Sequence, residues 1–210
     1  MAVAEIISAC ELGDIDKVER LLLRIRNPAD VRGHGDRWWN RTATLLHFSC
    51  RHGWLDVTRR LVEQYRCDPE SRGSYGDTPL QEACRQGHMD IVRYLVSERG
   101  CSTACQNWNG DTPLLEACRD GHVDIVRYLV GELGCSTACQ NKDGNTPLHE
   151  ACKNRHLTRV CTPLSDAKDS SSVNVAITHW SDMKITPSCI PNGQEYCTLK
   201  SVWYHRLSLG

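Results

Sequence analysis

Apolar residues in the first three quarters of the chain recur as short helical stripes punctuated by glycine. Leu80, Ala83 and Cys84 fall at i, i+3 and i+4, the spacing of one helix face. Thr78-Pro79 opens that helix, because proline's missing N–H falls among donors that have no intrahelical partner. Gly87 ends it where a left-handed conformation costs glycine little. A second stripe follows, with Ile91, Val92, Leu95 and Val96 facing inward, Arg93 and Tyr94 on the more exposed side, and Gly100 closing it. The polar run Gln106 to Asp111, containing Asn-Gly, is a turn. Each unit thus reads as two short helices and a connecting finger. One unit cannot bury its stripes alone, so neighbours must stack.

The units repeat closely. Residues 76–109 and 110–143 differ at seven of 34 positions. Cys50, Cys84, Cys118 and Cys152 are spaced by 34, as are Cys67, Cys101 and Cys135 and the glycines Gly53, Gly87 and Gly121. A first unit is visible at 7–22, ISACELGDIDKVERLL, without Thr-Pro, as suits a terminal cap. Its finger is longer than the others, the extra length falling around RGHGDRWWN at 32–40.

The repeated motif resembles that of the ankyrin family. The signature Thr-Pro-Leu-His-x-Ala stands as TPLHEA at 146–151, and as TPLQEA at 78–83, TPLLEA at 112–117 and TLLHFS at 44–49. The Gly-His step recurs at Gly87-His88 and Gly121-His122. The 34-residue period also matches the tetratricopeptide repeat. There, however, proline follows the helix pair and a Trp and Tyr pattern is required. Against the usual ankyrin period of 33 there is one extra residue, placed here at the end of the second helix, within Ser97-Glu98-Arg99. The resemblance implies an all-α solenoid of stacked helix–turn–helix units with β-turn or hairpin fingers. The array occupies 1–157, as units 4–40, 41–75, 76–109, 110–143 and a partial 144–157.

The fifth unit breaks. Arg155 replaces the helix-ending glycine, Arg159 takes the core position of Ile91, and Pro163 that of Leu95. Proline inside a helix costs ~3 kcal/mol or more, so a normal second helix is not expected. Residues 158–210 are rich in serine and lack the repeat; they read as an irregular tail, disordered or weakly structured, or as a small capping element. A truncated or misjoined segment would read the same way.

Composition changes this picture little. The formal net charge is −1, which argues against broad capture of nucleic acid or anionic membrane. The N-terminal stretch has no basic lead and is interrupted by Glu5, a poor secretory signal, and no apolar run approaches the ~20 residues of a membrane span. These features point to a cytoplasmic monomer, with the nucleus as the other compatible compartment. The 13 cysteines are then reduced thiols, odd in number and short of a disulfide scaffold. Six of them fill two slots that are usually alanine in this family, which makes them packing residues.

Catalytic and metal chemistry finds no foothold. Cys101, Cys105, Cys135 and Cys139 could be drawn as a four-thiolate zinc site. Equivalent positions in stacked repeats lie roughly 8–10 Å apart, whereas zinc would hold the four sulfurs within about 4 Å. Cys84 and His88 are separated by a helix-breaking glycine, and no phosphate-binding glycine loop occurs. No cofactor is implied. His47 and His149 hold the signature position, where the resemblance implies a loop-ordering role.

Charged columns and finger aromatics carry the functional expectation. Arg51, Arg85, Arg119 and Lys153 form a basic row, with Glu82, Glu116 and Glu150 three residues before the last three. This is a self-neutralising face or a steering surface for an acidic or mixed-charge partner. Trp38, Trp39, Tyr75 and Trp108 lie in or beside the fingers, where core packing gives little reason for large rings. Trp54 is expected to pack at the start of its own helix. In the ankyrin family fingers and first helices line the concave binding face, which implies a protein or peptide partner. The candidate contacts are Trp38, Trp39, Arg51, His52, Tyr75, Asp77, Arg85, Gln86, Trp108, Asp111, Arg119, Asp120 and Lys142. The competing class is a cysteine-based redox or metal-responsive protein, and a third is a fragment of a longer ankyrin protein.

Overall fold

The computed structural model describes residues 2–12, 14–25, 28, 31, 43–154 and 156. Trp38 and Trp39, the break in the fifth unit and the tail 158–210 lie outside them. The described residues form helices joined by turns, without a β-sheet. They pair as α1 (Ala2–Leu12) with α2 (Ile15–Leu22), α3 (Leu45–His52) with α4 (Leu55–Glu63), α5 (Pro79–Gln86) with α6 (Met89–Arg93), and α7 (Pro113–Asp120) with α8 (Val123–Arg127). α9 (Pro147–Lys153) begins the fifth unit.

The helix starts follow from threonine. Thr78 Oγ1 accepts from the Gln81 N–H while Gln81 Oε1 accepts from the Thr78 N–H, a reciprocal cap that satisfies two otherwise orphaned donors. The Gln81 side chain also donates to the Asp111 carbonyl at 2.6 Å, tying α5 to the next finger. His47 does the same one unit earlier. Its Nδ1 accepts from the Thr44 N–H, which leaves the proton on Nε2 to donate to the Asp77 carbonyl at 3.0 Å. The loop-ordering role expected of this histidine is thus a bond between units. Gly87 ends α5 at φ +84°, and the His122 ring packs against its α-carbon face so closely that a Cβ would meet Nδ1 at 2.5 Å.

First helices stack on first helices, from α1 through α3, α5 and α7 to α9, and α4, α6 and α8 contact in turn. Leu46, Leu80, Leu114, Ile91, Leu95, Ile125 and Leu129 fill the continuous core between the rows. Cys50, Cys84 and Cys118 are completely buried in this core, as small apolar packing residues. Trp54 packs against this core at the start of α4, its ring stacked on His52 at 4.9 Å.

The extra residue of the period is absorbed by widening the second helix. α6 and α8 continue into π-helical turns, Tyr94–Glu98 and Tyr128–Glu132, in which Arg99 N–H reaches back to the Tyr94 carbonyl and Leu133 N–H to that of Tyr128. The widening corrects one expectation. Tyr94 is not exposed but only 1% accessible, because the π turn rotates it toward the preceding unit. Its hydroxyl donates to Glu63 at 3.2 Å, and the Arg59 guanidinium lies 4.4 Å from its ring centre while pairing with Glu98. Arg93, Tyr128 and Glu132 repeat the arrangement one unit on.

Candidate functional site

Fingers and the C-terminal halves of the first helices share one face. Each finger is a four-residue turn closed by an i to i+3 bond, Gly76 N–H to Gly73, Gly110 N–H to Asn107 and Gly144 N–H to Asn141. Successive fingers are bonded to each other: Trp108 N–H donates to the Tyr75 carbonyl and Lys142 N–H to that of Asn109, both at 2.8 Å. Gly76, at φ +73°, leaves its face open to the Trp108 indole, and a Cβ there would meet Cδ1 at 2.6 Å. Trp108 therefore lies across the preceding finger with 64% of its surface exposed, the most exposed aromatic among the described residues.

Beneath the fingers runs a ladder of buried charge. Arg85 meets Asp77 at 3.1 Å, Glu82 at 3.1 Å and Glu116 at 2.9 Å. Arg119 meets Asp111 at 2.9 Å, Glu116 at 3.0 Å and Glu150 at 3.0 Å. Each guanidinium thus joins two units. Burial alone would weaken the hold of Arg85 and Arg119 on their protons, but the carboxylates around them reverse the sign and keep both charged. Burial pushes the Glu82 carboxyl up, with Arg85 offsetting only part of the effect. Burial also acts on Glu150, but there the Arg119 hydrogen bond and charge outweigh it, and the carboxyl is held below its ordinary range.

Two asparagines complete the ladder, and the sequence reading missed both. Asn107 Nδ2 donates to Asp77 at 2.8 Å and to Glu116 at 3.3 Å, while its Oδ1 accepts the N–H groups of Asn109 and Asp111. Asn141 repeats the same four bonds one unit later. The signal was the recurrence of Asn at period 34, masked because the whole run 100–107 recurs at 134–141.

This geometry sorts the candidate contacts. Asp77 and Asp111 are 3% and 1% exposed and sit under the arginines, so they hold the stack and are not open to a partner. Arg85 and Arg119 are each surrounded by three carboxylates, which removes the expected cationic steering row at those two positions. Gln86, Asp120 and Lys142 are exposed, and Tyr75, Arg51 and His52 are half-buried. Burial and the neighbouring Arg51 charge depress the His52 imidazole, keeping it neutral at lower pH. The structure brings Tyr75 and Trp108 together at the finger tips.

A family model for ankyrin repeats in three copies matches residues 6–107 and 99–174. The chain belongs to the ankyrin repeat family. Its fold is that of an all-α ankyrin solenoid. Ankyrin repeats generally mediate protein–protein interaction and are typically non-enzymatic scaffolds. No individual curated protein matches the chain.

Burial pushes Cys101 up to about 11, raises Cys50, Cys84 and Cys118 well above the ordinary thiol range, and raises Cys105 and Cys139 despite the hydroxyls of Thr78 and Thr112 beside them, which disfavours the thiolate at these six positions of the ankyrin stack. Among the described residues no group of three or more His, Cys, Asp or Glu is arranged to hold a metal ion, and no helix is long and apolar enough to cross a membrane.

Proposed function

We propose that the chain is a protein-interaction module that grips a protein or peptide on the face formed by its fingers and first helices. The observation that carries this reading is Trp108, a large indole held in place and left 64% exposed. Its backbone is bonded to the preceding finger and its ring rests on Gly76, so little freedom remains to be lost on binding. Fixed aromatic surface of this kind is enriched at binding hot spots. Tyr75 and Lys142 on the neighbouring fingers, with Arg51, His52, Gln86 and Asp120 at the ends of the first helices, extend the contact across units. Trp38 and Trp39 belong to the same proposed set from the first finger. The Arg–carboxylate ladder keeps these contacts at fixed spacing, which makes the mechanism one of rigid presentation by a monomeric stack.

Parallel affinity capture with the full wild-type chain and with Trp108→Ala tests the reading. Proteins held by the wild type should be weakened by about tenfold or more on the variant, the scale of a hot-spot residue. Unfolding free energy should change by less than about 0.5 kcal/mol, as for an exposed side chain. Partners that bind both forms equally would remove Trp108 from the site.

A further inference from the structure

Units that are otherwise close copies diverge at their fingers. Trp108 and Asn109 stand where the next unit has Lys142 and Asp143. At the base of the preceding finger is Arg72, in the place that Gln106 and Gln140 hold in the two units that follow. Arg72 is exposed, yet its Nη1 donates to the Gly76 carbonyl at 2.9 Å and to the Gln106 carbonyl, so the guanidinium bridges two fingers. The Cδ1–Nε1 edge of the Trp108 indole lies over the same Gly76. A tethered cation and the exposed ring thus meet at one residue. Carbonyls bring no counter-charge, and Arg72 makes no ion pair among the described residues. The acids nearest to it in the chain are engaged elsewhere. Asp68 Oδ1 accepts the Glu70 N–H and Glu70 Oε1 accepts the Ser102 N–H, both at 2.9 Å, while Asp77 is held by Arg85 and Asn107.

We infer that Arg72 and Trp108 form one subsite, which takes an aspartate or glutamate of a protein partner together with a neighbouring apolar side chain laid on the indole. A partner that covers the indole also takes the guanidinium beside Gly76 out of water. A desolvated charge is costly unless it is paired as well as hydrogen-bonded, and the two carbonyls only hydrogen-bond it. A carboxylate supplies the missing charge. Arg72 keeps Nε and Nη2 without an acceptor among the described residues, two donors on one edge that suit a bidentate bond to a carboxylate. A lysine or arginine stacked on the indole would instead meet Arg72 as a like charge, which disfavours cation–π recognition at this ring. A purely apolar contact would strand the guanidinium. The acid belongs on the Arg72 side, because on the other side Lys142 is followed directly by Asp143, both exposed.

The inference rests on the reading that Trp108 belongs to the binding face, and the two can fail separately. Random peptides are selected on the immobilised full chain, then measured against wild type, Trp108→Ala, Arg72→Gln and Arg72→Glu. Glutamine already stands at this place in the next two units, so Arg72→Gln suits the frame, and thermal melts establish that each variant folds. The selected peptides should share an Asp or Glu beside an apolar residue. They should bind Arg72→Gln about tenfold or more weakly, the scale of a hydrogen bond between charged groups, and Trp108→Ala likewise. Changing the shared acid to Lys should weaken binding to wild type by a similar factor and restore it on Arg72→Glu. Peptides that share a basic residue or no charge, that bind Arg72→Gln as tightly as wild type, or whose Lys form gains nothing on Arg72→Glu would overturn the subsite, as would a library that yields no binder. Loss on Trp108→Ala alone leaves the finger reading standing without the acid. Loss on the Arg72 variants alone removes the indole and overturns both.

Discussion

Two neighbouring junctions of this stack are built from the same helices and differ in what lies between them. Where 76–109 meets 110–143, the side chains of Asp77, Asn107 and Glu116 are bonded to one another and to Arg85. Where 41–75 meets 76–109, Ala43 and Gly73 stand in place of the acid and the amide, and Glu82 keeps an unanswered oxygen. Both junctions share the apolar core, so burial of the stripes does not depend on the polar filling. The difference shows that one repeat frame stacks with or without the Asp–Asn pair at these positions.

The largest effect expected from breaking this contrast is at Glu116, which is fully buried and shared by Arg85 and Arg119. Glu116→Ala should cost about 3–5 kcal/mol of unfolding free energy in urea, since it leaves two guanidiniums short of a partner. Glu82→Ala should cost only about 1 kcal/mol, because Arg85 keeps Asp77 and Glu116. Equal losses would mean that the two junctions are energetically alike.

A smaller effect separates the same positions by pH. The Glu82 carboxyl is raised by burial, so the folded state favours its protonated form. That contribution is complete below the ordinary carboxylate range and is lost as pH rises through the raised value. Glu82→Gln should therefore match the wild type in acid and gain on it toward neutral pH. For Glu150 burial is outweighed by Arg119, and the carboxyl is held low. Its contribution is present above the ordinary range and disappears as pH falls through the lowered value. Glu150→Gln should be less stable than wild type at neutral pH, with the difference closing in acid. Urea melts across the acid range read both signs.

The helical frame was legible because its signals are local: Thr-Pro starts, glycine stops, and apolar spacing copied at period 34. The cysteines likewise identified themselves as packing residues by occupying alanine slots. Tyr94 was misread because an α-helical wheel places it outward, and the π turn that turns it inward depends on the extra residue of the unit. Asp77 and Asp111 resembled exposed loop acids because their partners, Arg85 with Asn107 and Arg119 with Asn141, lie 8 or 30 residues away and meet them only after stacking. The open junction did leave a trace, Ala43 against Asp77 and Gly73 against Asn107. It acquires meaning only once the asparagine is seen bridging two units.

The most direct measurement of the central claim pairs Asn107→Gly with Trp108→Ala, reading unfolding free energy and affinity for a captured partner in each. Asn107→Gly opens a complete junction and should lower stability by about 2–3 kcal/mol for the bonds it removes, while binding of the folded protein changes by less than about threefold. Trp108→Ala should weaken binding by about tenfold or more, with unfolding free energy changed by less than about 0.5 kcal/mol. A stability loss in Trp108→Ala with binding intact, or a binding loss in Asn107→Gly with stability intact, would contradict the assignment of the buried ladder to holding the stack and of the finger tip to recognition.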